Sequence, residues 1–293
     1  MHSVTETSFR LSDWRISRIE EMALELPAEM LIPSYNAEEL RPDELVALAP
    51  TRSANGRDLR VPIHSWLLQK NDLTILVDTG VGNGRNRNFG AFAGLETDFL
   101  DRLAARGAVP EKVDFVLCTH LHTDHVGWNT RADGAGWRPT FPNARYVWGR
   151  IEGAIARQPF FQDGLAAGVY ADSIAPILEA GLAEEVGPGS FAAVPGITFH
   201  STPGHSPGHM SISLSTEDGL AFFGGDVLHS QIQVSRPDWN STFCEDPATA
   251  ARSRRWALEY CADNNALFFG THIGGSSVGR VHRGDAGFLW THE

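Results

Sequence analysis

The sequence predicts an α/β fold, and three features carry that expectation. Short apolar, β-branched runs intermix with amphipathic helical runs along the whole chain. No linker, internal repeat or low-complexity tract separates them. At 293 residues the chain is long enough to bury a sizeable core. One domain over residues 1–293 is the economical expectation, with a strand and a Pro-rich excursion in 1–60 and the motif-bearing core in 61–275.

The elements follow in order. Residues 13–20 alternate in strand fashion, and 26–60 are rich in Pro and polar groups, with a short helical pattern at 42–49. Runs at 61–70 and 73–78 read as a hairpin turning on Asn71 and Asp72. A glycine-rich loop, an amphipathic helix at 96–106 and a buried strand at 113–118 come next. A strand at 145–148 precedes a mostly helical stretch, 150–185, broken at Pro159 and Gly164. Strands are expected at 197–201, 210–214, 220–224 and 266–269, and one or two short ones at 279–290. A helix at 247–264 has Asp246 as its cap and Pro247 in its first turn.

Composition excludes several classes. Hydrophobic residues make up 42% and charged residues 20%, ordinary for a globular chain. With 36 acidic against 24 basic residues the formal net charge is -12, which repels phosphate backbones and argues against nucleic acid as a partner. The densest basic cluster, Arg252, Arg254 and Arg255, reads as a solvated helix face. Cys118, Cys244 and Cys261 form no CxxC, so a reducing, cytoplasmic setting is expected. The first residues lack the pattern of a signal peptide, which leaves open only a presequence already removed. No apolar run approaches the ~20 residues that span a bilayer, so no membrane partner is expected.

The chemistry concentrates in residues 119–127, THLHTDHVG, directly after an apolar strand. Here His120, His122, Asp124 and His125 put three imidazoles and a carboxylate into one turn, the donors that suit zinc and its neighbours. A plain polar turn has little use for such a set. Three more strands each end in a glycine-flanked ligand type: His205 after 202–204, Asp226 after Gly224 and Gly225, His272 after Gly270 and Thr271. Glycine lets the backbone turn sharply and approach a site closely.

The pattern HxHxDH, then His, then Asp, then His, resembles the metallo-β-lactamase superfamily from about residue 61 to residue 272. That resemblance implies an αββα sandwich of two mixed sheets flanked by helices. It implies two divalent metal ions, zinc first, with manganese, cobalt and iron accepted by the same donors. By motif position His120, His122 and His205 would hold the first ion, and Asp124, His125 and His272 the second, with Asp226 bridging. Asp78, in the segment 76–80, LVDTG, would orient a ligand histidine by accepting its other N–H.

Among subgroups, the chain is most similar to the one containing N-acyl-homoserine lactonases and methyl parathion hydrolase. Asp226 stands where binuclear β-lactamases have Cys, only 21 residues follow His272, and the charge disfavours nucleases. His229 lies three residues after Asp226, where the lactonases carry Tyr and the parathion hydrolase branch carries His. Trp128 departs from the lactonase pattern and would alter the pocket wall.

The implied activity is hydrolysis of a lactone or related ester. Two ions held by these ligands would supply hydroxide for attack on the carbonyl carbon, Asp124 would accept or pass the proton and His229 would steady the carbonyl or leaving group. The rival enzymatic reading is a phosphotriesterase or arylesterase. A non-catalytic metal-binding member is the remaining class, and it is disfavoured because all seven ligands are present. A small-molecule substrate is expected, and a homodimer would fit the group. Other histidines read as structural: His209 as hydrogen-bonded beside the site, His64 as a core residue, His200 as packed, and His2, His282 and His292 as outside any constellation.

Overall fold

The computed structural model describes residues 8–285 and 287–293, leaving aside the side chains of Phe160 and Gln162. His2 lies outside the described residues. The chain packs as two compact units. One joins the chain up to Met22 with Ile63–Gly187; the other joins Ala23–Pro62 with Pro188–Glu293.

The first unit is built on a seven-stranded sheet ordered Ser8–Leu11, Trp14–Pro27, Asp58–Lys70, Leu73–Val77, Phe115–Leu117, Arg145–Gly149, Ala183–Val186. Its two long strands belong to both units, which change over at residues 22/23 and 62/63. The expected hairpin forms in register, Lys70 opposite Leu73, with Asn71 in the left-handed region at φ 52°. Phe115–Leu117 runs parallel to Leu73–Val77 on one side and Arg145–Gly149 on the other. Parallel strands are buried on both faces, which is why this one reads as a continuous apolar run. Leu67, Leu76, Phe99, Val116, Tyr146 and Trp148 lie in the core it serves.

The second unit carries the other seven-stranded sheet: Gly189–Ser190, Ile197–Ser201, Met210–Thr216, Gly219–Phe223, Leu267–Phe269, Val278–Gly284, Gly287–His292. Gly219–Phe223 and Leu267–Phe269 are its parallel pair. The helix Pro247–Asp263 starts at Asp246, whose carboxylate accepts the Thr249 N–H at 3.1 Å. The Pro-rich stretch is more than a surface excursion. Leu26, Leu31, Ile32, Leu48 and Val61 form a hydrophobic cluster with Ile232, so the stretch supplies part of this unit's own core.

Several sequence expectations need correction. Arg254 is not on a solvated face: it is fully buried and donates to the carbonyls of Val227 and Pro237 at 2.7 and 2.6 Å. The helix expected at 96–106 is only Phe99–Ala105, because Asn83 binds both the N–H and the C=O of Thr97 and holds that segment in a loop. The strand at 13–20 extends over Trp14–Pro27 and is buried at successive positions from Ile16 to Glu21 rather than alternately. The helical stretch 150–185 ends in a strand, Ala183–Val186, and contains a π-helical turn, Tyr170–Ile174. A two-stranded hairpin, Thr130–Asp133 with Gly136–Pro139, was not expected. No helix among the described residues is long and apolar enough to cross a membrane.

Candidate metal centre

In each unit, parallel strands bring ligand-type residues to neighbouring strand ends. In the first, Leu73–Val77 leads to Asp78 and Phe115–Leu117 leads to the 119–125 turn. Their pairing continues past the strands, since Asp78 N donates to Leu117 O at 3.0 Å. Asp78 then turns left-handed, φ 55°, a conformation Asp tolerates better than most residues. Its Oδ1 accepts Thr119 N and its Oδ2 accepts Thr119 Oγ1, both at 2.8 Å. The same Oδ2 lies 2.9 Å from His125 Nδ1. A carboxylate is an acceptor, so Nδ1 carries the proton and the lone pair of a neutral His125 is on Nε2.

His120 is fixed by the same logic. The Thr119 hydroxyl spends its proton on Asp78, so at 3.1 Å from His120 Nδ1 it accepts, and the lone pair of His120 is also on Nε2. The rings crowd together: His120 to His125 is 4.0 Å between centroids and His120 to His122 is 4.5 Å. His122 immediately precedes the short helix Thr123–Val126, which carries Asp124 and His125. Asp124 and His122 are partly exposed, and Asp124 Oδ1 lies 3.9 Å from His125 Nε2.

In the second unit, Asp226 and His272 follow the parallel strands Gly219–Phe223 and Leu267–Phe269. His205 follows Ile197–Ser201 through a turn that needs glycine: Gly204 has φ 124°, and a Cβ there would stand 2.1 Å from Ala250 N. Asp226 is buried and meets three imidazoles. His205 Nε2 and His229 Nε2 lie 3.2 and 3.1 Å from its Oδ2, and His272 Nε2 lies 3.2 Å from its Oδ1. His209 accepts the Asp226 N–H on Nε2 at 3.0 Å and directs Nδ1 at the Thr202 carbonyl at 3.1 Å. It thus anchors the Asp226 backbone.

This donor set fits a divalent metal. His272 Nδ1 is 2.9 Å from the Pro62 carbonyl, which can only accept, so Nδ1 bears the proton. A neutral His272 therefore turns a lone pair toward a carboxylate oxygen 3.2 Å away. Two acceptors at that separation in a buried place repel unless a cation or a proton serves both. Neutral Nε2 donors beside a carboxylate are the ligand chemistry of zinc-type sites.

His229, expected to steady the carbonyl or leaving group, lies in this cluster: ligand-type atoms of His205, Asp226 and His229 lie within 4.8 Å of one another. Its ring stacks on His272 at 5.5 Å, and its Nδ1 is buried with no hydrogen-bond partner among the described residues. Burial pushes its pKa down, against the pull of Asp226. Trp128 is a core residue of the first unit, stacked on Phe99 at 5.4 Å with its indole N–H given to Glu21 at 2.7 Å. His64 is buried edge-on to Trp66, and His200 contacts Ser213 Oγ at 2.8 Å. Neither belongs to the clusters described.

Sequence reasoning passed over Glu21, Arg85, Arg87 and Asp172, which brace the ligand turn. Glu21 accepts Val81 N at 2.6 Å and Gly82 N at 3.1 Å besides the Trp128 indole, and burial raises its pKa against these bonds. A Glu in a strand and two Arg in a loop carry no motif that would single them out.

The sequence matches the family model described as Metallo-beta-lactamase superfamily over residues 59–272. N-acyl homoserine lactonase AiiA of Bacillus thuringiensis subsp. kurstaki is 31% identical over 176 residues, 55% of this chain and 62% of its own length. The N-acyl homoserine lactonase of Bacillus cereus is 31% identical over 191 residues, 60% of this chain and 68% of its own length. The chain thus spans less than two thirds of AiiA. Among solved structures, hydrolase AbOPH in the beta lactamase superfamily has a TM-score of 0.79 at 23% identity, covering 98% of this chain and 97% of that one. AidC, a dizinc quorum-quenching lactonase, has a TM-score of 0.77 at 22% identity, covering 98% and 97%. Both are likenesses of fold. With its α/β fold, its ligand motifs and the match over residues 59–272, the chain belongs to the metallo-β-lactamase superfamily.

Proposed function

We propose that the protein is a binuclear metal-dependent hydrolase that opens a lactone or cleaves a related ester. The observation that carries this reading is the cluster on Asp226, where three buried imidazole nitrogens converge on one carboxylate within 3.2 Å. By the motif positions of the family that the sequence resembles, His120, His122 and His205 would hold one ion and Asp124, His125 and His272 the other, with Asp226 shared. The relatives named N-acyl homoserine lactonase support a lactone as the substrate.

Bound ions would supply hydroxide near neutral pH and draw negative charge from the carbonyl oxygen. The protein's own groups do the rest. Asp78 and Thr119 fix the His125 and His120 tautomers so that both present Nε2. Asp124, a partly exposed carboxylate, would take a proton from the nucleophile and pass it to the leaving alkoxide. His229 offers an imidazole beside Asp226 to steady the carbonyl or leaving oxygen. The same groups could serve attack on an aryl ester or phosphotriester, and His229 in place of Tyr is the feature that favours this second reading.

Asp226→Ala tests the assignment. Metal content and hydrolysis are expected to fall together; a variant that keeps two ions per chain shows that the ligand set is misassigned.

A further inference from the structure

The turn that carries Asp124 and His125 is gripped at both ends by buried guanidinium groups. Arg87 Nε donates to Thr123 Oγ1 at 2.6 Å, at the first residue of the short helix. Arg85 Nη2 donates to the Gly127 carbonyl where that helix ends, and to Thr130 O and Oγ1 at 2.6 and 2.9 Å. Both side chains are fully inaccessible, and both are held by one carboxylate. Asp172 takes Arg87 in a fork, with Nη1 to Oδ2 at 2.6 Å and Nη2 to Oδ1 at 2.8 Å, and meets Arg85 Nη1 at 3.1 Å.

Asp172 lies far along the chain, in the π-helical turn Tyr170–Ile174. Such turns are rare and concentrate at functional places. The arrangement is costly. Two buried cations share one carboxylate, and burial pulls Arg85 down to about 10 while Asp172 opposes that shift. Buried ion pairs are often no better for stability than apolar residues of the same volume, and their best-attested use is to fix one geometry. The geometry fixed here is that of the Thr123–Gly127 backbone. Arg85 also lies 3.8 Å over the Trp137 ring, which removes its remaining freedom.

We propose that Asp172 is a positioning residue for the metal ligands of the first unit. Through Arg87 at Thr123 and Arg85 at Gly127 it holds the turn in which Asp124 and His125 can act together on one divalent cation. This inference rests on the binuclear reading above.

The test uses the full chain, stripped of metal and titrated with Co2+ against a chelating dye, with the visible spectrum and thermal midpoint recorded. Asp172→Asn removes the charge at nearly constant volume. One of two Co2+ affinities is expected to fall about 10–100-fold, as when a group supporting metal ligands is lost, with altered visible bands. The other ion is expected to keep its affinity. Arg87→Lys keeps the charge but loses the fork, and an intermediate effect at near wild-type thermal midpoint is expected; it carries the test if Asp172→Asn does not fold. Wild-type Co2+ affinities and bands in the folded variants would overturn the proposal. If the unaltered protein binds no Co2+, the binuclear reading fails, and amide hydrogen exchange decides on the clamp. Exchange at 123–127 at least about tenfold faster in the variant, with the sheet strands unchanged, sustains it. Equal exchange overturns it.

Discussion

Asp78 holds His125 from below: its Oδ2 lies 2.9 Å from His125 Nδ1 while the same carboxylate accepts both the N–H and the hydroxyl of Thr119. Every donor around this carboxylate points inward, so an amide in its place must turn an N–H toward another donor. Asp78→Asn is expected to cost about 1–3 kcal/mol of folding free energy and to weaken metal binding about 10–100-fold. Denaturant unfolding and a chelator competition measure the two effects. A variant unchanged in both would show that Asp78 does not orient His125.

His229 faces Asp226 at 3.1 Å and leaves its Nδ1 with no hydrogen-bond partner among the described residues. If it serves the substrate, His229→Ala should lower turnover by about 10²-fold and leave the metal content of the protein intact. Steady-state kinetics with metal analysis of the same sample decides. Loss of metal would make His229 a ligand instead.

Gln231 is buried, and neither its Oε1 nor its Nε2 has a hydrogen-bond partner among the described residues. Its neighbour Gln233 is well bound, with Oε1 accepting His229 N at 2.7 Å and Nε2 donating to Trp239 O at 2.8 Å. An unmet buried amide costs about 1–3 kcal/mol, so Gln231→Leu should raise stability, while Gln233→Leu should lower it. Thermal or urea unfolding of the pair provides the comparison. Destabilisation in both would mean that the Gln231 carboxamide is satisfied in solution.

Glu44 is buried beneath Arg236, which donates to its carboxylate at 2.8 and 3.1 Å, and Arg41 N adds a bond at 2.8 Å. Burial pushes the Glu44 pKa up, but these bonds outweigh it and hold the pKa down at about 2, below the ordinary 4.5. A folded-state pKa below the unfolded one means that the stabilisation is present above about pH 4.5 and fades as the pH falls toward 2. With Arg236 partly exposed, the contribution is about 2 kcal/mol. Urea midpoints should therefore drop less between pH 5 and pH 3 in Glu44→Gln than in the unaltered protein. Parallel pH profiles would remove this role from the pair.

The strands that deliver the site were legible because their signals are local. Ile197–Ser201 carries its β-branched and aromatic run within five residues, and the 73–77 hairpin arm follows a polar two-residue turn. The ligand motifs were legible because imidazole and carboxylate side chains at strand ends have few other uses. What escaped depends on distant partners. The strand Ala183–Val186 has an Ala-Glu-Glu-Val sequence with no strand pattern, and it forms because Tyr146–Gly149 offers an edge to pair with. Arg254 looked like one of three surface arginines until the carbonyls of Val227 and Pro237 made it a buried one. The Asp172 clamp spans 85 residues between Arg87 and Asp172, and no spacing rule connects them.

The proposed reaction is a metal-dependent attack on a lactone or ester. Proton release from a panel of lactones, aryl esters and one phosphotriester, before and after chelation and with zinc or manganese restored, tests it most directly. The expected result is lactone cleavage that chelation abolishes and metal restores. Cleavage of aryl esters or the phosphotriester alone would transfer the function to the second reading. Lactone cleavage that survives complete removal of metal would contradict the account.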